Sequence, residues 1–225
     1  MRLKRELVYN SLMDPLLKHL LDTAHSTPRQ VDETLVIKAY EFATLAHSGQ
    51  KRKSGADFIT HCAAVATHLA SWNLDTSTVI AGLLHDTIED GGATHSDLVK
   101  EFGSDIANIV EGVTKVSNFH LTGSTDVKFV ENLRKMFLAM SRDLRVVMVK
   151  FADRLHNLQT LSALEPARQV RYAREILEIF SPLADRLGFH KLKSQFEDLA
   201  FPYVYPQQYQ QLVAKTQTVF KKSDL

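Results

Sequence analysis

Four side chains able to hold a cation or move a proton, His85, Asp86, Glu89 and Asp90, stand together at the end of an otherwise apolar run that begins near Thr76. On a helix His85 and Glu89 lie one turn apart, as do Asp86 and Asp90, so these groups project onto neighbouring faces. Carboxylates at a helix C-terminus meet the negative end of the macrodipole, and a bound cation reverses that penalty. The same residues also read as a satisfied His-Asp pair followed by a solvated helix end, because an isolated His-Asp dipeptide is a weak motif. Two further candidate ligands lie in separate segments: His61, downstream of Arg52-Lys53-Ser54, and Asp153, within the stretch from Val149 to Asn157. Two imidazoles and two carboxylates around one ion form a mixed nitrogen and oxygen shell that suits manganese or another borderline divalent metal. Such a thiolate-free set argues against structural zinc. Taken singly, His61 can be an ordinary half-buried histidine and Asp153 a partner of Arg154.

Helices must position these groups, since apolar residues recur at intervals of three and four and tight-turn dipeptides are scarce. Between Asp32 and His47, Leu35, Ala39, Phe42, Ala43 and Ala46 form one stripe, with Gly49 placed for a left-handed C-terminal cap. A second helix runs from His61 to Trp72, and a third from about Thr76 to Ile88 until Gly91-Gly92 breaks it. Thr94 and Asp97 have capping-box spacing before a short helix closed by Gly103, and Ser104 can cap the next. Asn118 to Thr125 reads as a loop, with helix resuming at Asp126. Val146 to Val149 has strand propensity but leads into Ala152, Leu155 and Leu158 at helical spacing, which favours helix. Pro166 to Phe180 is helical, Pro182, Gly188 and Pro202 mark breaks, and Pro206 suits the first turn of a last helix. The expectation is an all-α helical bundle around one core, residues 1–182, with 183–225 as a helical extension.

The chain has 225 residues, 44% of them hydrophobic and 24% charged, ordinary values for a soluble globular protein. With 27 Lys and Arg against 26 Asp and Glu, its net charge of +1 gives no reason to expect a general nucleic-acid binder, so any anion site is local. A single cysteine, Cys62, rules out an internal disulfide and fits a reducing compartment. No apolar run approaches the roughly 18 to 20 residues of a membrane span. Glu6, Asn10 and Asp14 interrupt the amino terminus before a signal-like stretch develops. Cytoplasmic residence is the expectation.

The segments HSGQKRKSGADFITH (47–61), LLHDTIED (83–90), EFGSDIANIVEGVTK (101–115), ENLRKMFLAM (131–140) and VKFADRLHNLQTL (149–161) resemble the RelA/SpoT family. The resemblance implies an all-helical HD domain that removes the 3′-pyrophosphate of ppGpp and pppGpp, with His61, His85, Asp86 and Asp153 as manganese ligands. It implies Glu89 and Asp90 as the groups that orient or deprotonate the attacking water, a role for carboxylates just outside the ion's ligand set. Arg52, Lys53 and Ser54 match the substrate-contact strip: Arg can stack on a purine while Lys supplies a point charge for phosphate. Read alone, Lys51-Arg52-Lys53 is also a solvated basic loop. Asn157 and Thr160 would hold the nucleoside. Cys62 stands where relatives commonly carry proline and Gln159 where arginine is frequent; neither removes a ligand. In bifunctional relatives the segment resembling 181–201 leads to an alarmone synthetase, so the resemblance implies either the amino-terminal part of a longer bifunctional protein with a covalently joined synthetase domain, the favoured expectation, or a hydrolase with a residual extension. The alternatives are a non-catalytic alarmone-binding regulatory module and an HD-type nucleotidase with another substrate.

Overall fold

The computed structural model describes residues 13–117 and 142–223. The loop expected over 118–125 and the helix expected from Asp126 lie outside them, as does the segment 131–140. Among the described residues the chain is helical, and its one extended pairing is an isolated bridge between Lys51 and Asp57. The chain divides into two compact units, Met1–His156 and Asn157–Leu225.

In the first unit α1 (Pro15–His25) starts on an Asp14 cap with proline in its first turn, and α2 (Glu33–Ala46) on an Asp32 cap that accepts from Leu35 N at 3.0 Å. Both use an acceptor side chain to satisfy amides that a helix start leaves unpaired. The expected α2 stripe is shifted: Val36, Ala39, Tyr40 and Ala43 are buried, whereas Leu35, Phe42 and Ala46 are half-buried. Phe42 instead meets the ring of Phe102 edge-on, so an apolar flank continues the buried face. Gly49 takes the expected left-handed backbone (φ 76°), and Gln50 N closes the turn onto His47 O.

The helices α3 (Ile59–Ser71) and α4 (Thr76–Leu84) pack closely together and form the centre of this unit. His61, Cys62, Val65, Ala66 and Leu69 are buried on α3, and every residue of α4 from Thr78 to Leu84 is buried. Gly82 belongs to this contact, since a Cβ there would lie 2.4 Å from Leu69 Cδ1. The third helix ends at Leu84, short of the expected Ile88. Beyond it the chain tightens, because Thr87 N and Oγ1 both take the Leu84 carbonyl, at 3.0 and 2.7 Å. The residues 85–90 are therefore turns, although Asp90 N still reaches Asp86 O at 2.8 Å. Gly91 follows where a Cβ would stand 2.8 Å from Thr87 O, a close approach that only glycine permits.

The capping box is present as expected, with Thr94 and Asp97 bonded reciprocally at the start of α5 (His95–Phe102) and Gly103 (φ 86°) closing it. In α6 (Ser104–Ser117) Ser104 is the first helical residue, a one-residue difference from a cap. The Val146–Val149 run lies in α7 (Leu144–Gln159) and is helical, as expected. There all four residues are buried, so tertiary packing overrides strand propensity. The N-terminal turns of α6 and α7 are joined through Arg145, which grips Asp105 at 2.7 and 2.8 Å and its own Asp143 at 2.8 Å.

The second unit contains α8 (Pro166–Glu175), α9 (Ser181–Arg186), α10 (His190–Val204) and α11 (Pro206–Ser223). Ile176, Phe180, Ala184, Phe196 and Ala200 form its core. Pro182 does not end the helical path: the wide turn Ile176–Phe180 runs directly into α9, where Pro182 sits in the first turn and needs no intrahelical donor. Pro202 likewise lies inside the last turn of α10, which continues to Val204. Pro206 opens α11 as expected. No helix of the described residues is long and apolar enough to cross a membrane.

Candidate metal centre

Three elements of the first unit bring separate side chains to one point. His61 comes from the first turn of α3, His85 and Asp86 from the turn that ends α4, and Asp153 from the middle of α7. His61 Nε2 lies 3.2 Å from His85 Nε2, 3.4 Å from Asp153 Oδ1 and 3.7 Å from Asp86 Oδ2. His85 Nε2 is 3.1 Å from Asp86 Oδ2 and 3.9 Å from Asp153 Oδ1. His61, His85 and Asp153 are buried and offer ligand atoms all within 4.8 Å of one another. Asp86, half-buried, stands at the edge of the same cluster.

His85 Nδ1 faces Gly82 O at 2.9 Å, and a carbonyl only accepts, so in the neutral ring the proton is on Nδ1 and Nε2 turns a lone pair to the cluster. The centre thus gathers electron pairs with little to donate to them. Its carboxylates favour positive charge. Burial works against a charged His85, yet the neighbouring Asp86 charge and hydrogen bond, with Asp153, raise its pKa above the ordinary value. Burial likewise pushes Asp86 up, and His85 more than offsets this, leaving it at about 2. Asp153 is held well below the usual carboxylate range: burial opposes its charge, but Lys150, His61 and His85 outweigh it. Burial lowers the pKa of His61. A divalent cation satisfies the same demand for positive charge while leaving both imidazoles neutral, so the donor set fits a metal ion.

Lys150 and His156 complete this cluster and were not singled out from sequence. Lys150 Nζ donates to Asp153 Oδ2 at 3.0 Å, and both groups are buried. His156 Nδ1 lies 2.7 Å from His61 Nδ1. Burial, with the nearby His61 and Arg52, lowers the pKa of His156 to about 3. Each is three residues from Asp153 on α7, and that spacing was the available signal.

The remaining expected residues lie around this centre or beyond the first unit. Glu89 and Asp90 are exposed and end the turn that carries His85 and Asp86; the Asp90 carbonyl accepts Gln50 Nε2 at 2.7 Å. Arg52, Lys53 and Ser54 belong to a small hairpin closed by the Lys51–Asp57 bridge, where Arg52 N bonds Ala56 O at 2.8 Å. Lys53 and Ser54 are exposed, and the Arg52 guanidinium lies over the Phe58 ring at 5.6 Å. Phe58 in turn stacks on His47 at 4.5 Å and meets His61 edge-on at 5.8 Å. A chain of ring contacts therefore runs from the hairpin to a proposed ligand. Asn157 and Thr160 belong to the second unit: Asn157 is half-buried in α7, and its carbonyl accepts Thr160 Oγ1 at 3.4 Å.

Residues 39–190 match the family model described as HD domain. The chain is 42% identical over 220 residues to a guanosine-3′,5′-bis(diphosphate) 3′-pyrophosphohydrolase of Spiroplasma citri, covering 98% of this chain and 28% of that protein. It is 48% identical over 172 residues to the bifunctional (p)ppGpp synthase/hydrolase SpoT of Escherichia coli (strain K12), covering 76% and 24% respectively. To a GTP pyrophosphokinase of Myxococcus xanthus it is 46% identical over 186 residues, covering 82% and 25%. The chain therefore spans about a quarter of the length of these curated relatives. A solved structure described as "A metazoan ortholog of SpoT hydrolyzes ppGpp and plays a role in starvation responses" shares the fold, with TM-score 0.54 and 22% identity over 72% of this chain and 92% of that one. The family match over residues 39–190, most of the chain, makes it a member of the HD-domain family.

Proposed function

We propose that this chain hydrolyses the 3′-pyrophosphate of ppGpp and pppGpp, giving GDP or GTP and pyrophosphate, with a divalent ion, manganese, held by His61, His85, Asp86 and Asp153. The observation that carries the reading is the convergence of two imidazoles and two carboxylates from three elements, with His61 Nε2 within 3.7 Å of Asp86 Oδ2 and closer to the other ligand atoms. When bound, the ion acidifies a water and polarises the scissile phosphate. Hydrolysis adds the elements of water across the bond from the ribose 3′ oxygen to phosphorus: the hydroxyl goes to phosphorus and a proton to the departing 3′ oxygen. Glu89 and Asp90, solvated and one turn beyond the ligands, take the proton of the attacking water. Lys150 neutralises the outer oxygen of Asp153, which keeps a ligand charged in a buried place.

The hairpin supplies the local positive charge that a polyanionic substrate needs on a chain of net charge +1. Arg52, already lying on one aromatic ring, offers a flat cation to a purine, and Lys53 with Ser54 takes phosphate oxygens. On the same reading Asn157 and Thr160 hold the nucleoside. The hydrolase domain is proposed over residues 1–182, with 183–225 as an extension; the family match runs from 39 to 190 and the compact units divide after His156. The bifunctional relative supports a covalently joined synthetase as partner.

The direct test is release of pyrophosphate from ppGpp with Mn2+. Asp153→Ala should lose both metal binding and turnover, whereas Glu89→Ala should keep the metal and lose turnover. A manganese-loaded chain that binds ppGpp without releasing pyrophosphate would point to a regulatory module instead.

A further inference from the structure

We propose that His156 is a positioning residue that sets the tautomer of His61 by accepting its Nδ1 proton, so that His61 turns a bare Nε2 on the ion. The inference rests on the metal reading above and assigns a role to a residue outside its ligand set. A neutral imidazole carries one ring proton, and which nitrogen holds it decides which can bind a metal. For His85 the choice is made by Gly82, whose carbonyl, 2.9 Å from Nδ1, can only accept. His61 has no carbonyl in that place. Its Nδ1 faces another ring nitrogen, His156 Nδ1, at 2.7 Å, with the ring centroids 4.9 Å apart.

A contact that short needs one proton between the two nitrogens, and it can be placed in two ways. With His156 as donor, the proton of His61 must sit on Nε2, the atom 3.2 Å from His85 Nε2 and 3.4 Å from Asp153 Oδ1. That arrangement closes the centre to an ion. With His61 as donor, His156 carries its own proton on Nε2, and both His61 and His85 direct lone pairs inward. Only the second placement makes a metal site, and it requires an acceptor at the position of His156 Nδ1. The α7 helix supplies it from the turn after Asp153, so one helix provides both a ligand and the partner that orients another.

The test is Mn2+ binding by calorimetry to the whole chain and to two variants. His156→Phe keeps a ring but cannot accept, and Mn2+ affinity should fall by about 10- to 100-fold. His156→Asn places an amide oxygen where Nδ1 stood and should restore affinity to within a few-fold of the unaltered chain. Wild-type affinity in the Phe variant, or equal loss in both, would overturn the assignment. Independently of any variant, the chain loaded with diamagnetic Zn2+ should show imidazole 15N shifts with the proton on His61 Nδ1 and on His156 Nε2. A proton on His156 Nδ1 would overturn it as well. Failure of the unaltered chain to bind Mn2+ is a separate result, which removes the metal reading itself.

Discussion

At the level of single residues, the buried ion pair of Lys150 and Asp153 ties stability to the proposed site. Its Nζ to Oδ2 distance is 3.0 Å and both side chains are almost fully enclosed, so removing one partner strands the other. Lys150→Met should destabilise the metal-free chain by about 3 to 5 kcal/mol. Bound Mn2+ should recover part of that loss by supplying Asp153 with another counter-charge, and Lys150→Met with Asp153→Leu should cost less than Lys150→Met alone. Denaturant titrations with and without metal read all three; equal losses in both conditions would separate the pair from the ion. His61, His85, Asp86 and Asp153 were legible because their types are costly to bury without a purpose and because the family likeness joins segments far apart in the chain. Lys150 and His156 were not, since helical spacing places them beside Asp153 without saying what either faces across the fold.

Among the elements, starts were more legible than ends. The Thr94 and Asp97 pair announces itself because an acceptor side chain is what an unpaired amide needs, and Asp32 and Asp75 cap their helices in the same way. Ends depend on contacts the local sequence does not contain: α4 stops early because Thr87 captures the Leu84 carbonyl, and Pro182 is absorbed by the wide turn before it. The clamp between the starts of α6 and α7 carries a pH dependence. Hydrogen bonds from Arg145 hold the carboxyls of Asp105 and Asp143 below their ordinary range. Depressed carboxyl pKa values give stability that is full above the unfolded value, near pH 4, and lost as pH falls through the lower folded values. Arg145→Met should therefore lower stability at pH 6, by no more than about 1 kcal/mol for so exposed a cluster. The gap from the unaltered chain should close as pH falls below the unfolded carboxyl value, near 4, and through the lower folded values. Thermal melts across that range decide it, and a gap that persists at acid pH would mean that packing, not charge, joins the two helices.

For the whole molecule, the fold class was legible from periodicity alone, but the division within α7 was not, because a continuous helix gives no compositional boundary there. The proposed ligands come from α3, from the turn that ends α4 and from α7, all within the first unit, so ion binding should stabilise that unit as a body. At a free Mn2+ concentration a hundredfold above Kd the gain is about 2.7 kcal/mol, which corresponds to a Tm rise of about 5 to 10 °C for a chain of this size. A chelator should reverse the rise, and Asp153→Asn should abolish it. Calorimetry showing an unchanged Tm in saturating Mn2+ would contradict an ion placed among core helices.

Cys62 sits beside His61 on α3, fully enclosed, with burial pushing its thiol pKa up. A protonated, enclosed thiol hardly reacts, so alkylation of this sole cysteine must wait until α3 comes away from its neighbours. Its labelling rate is therefore a clock for that opening, and the clock should slow when Mn2+ fastens the adjacent histidine.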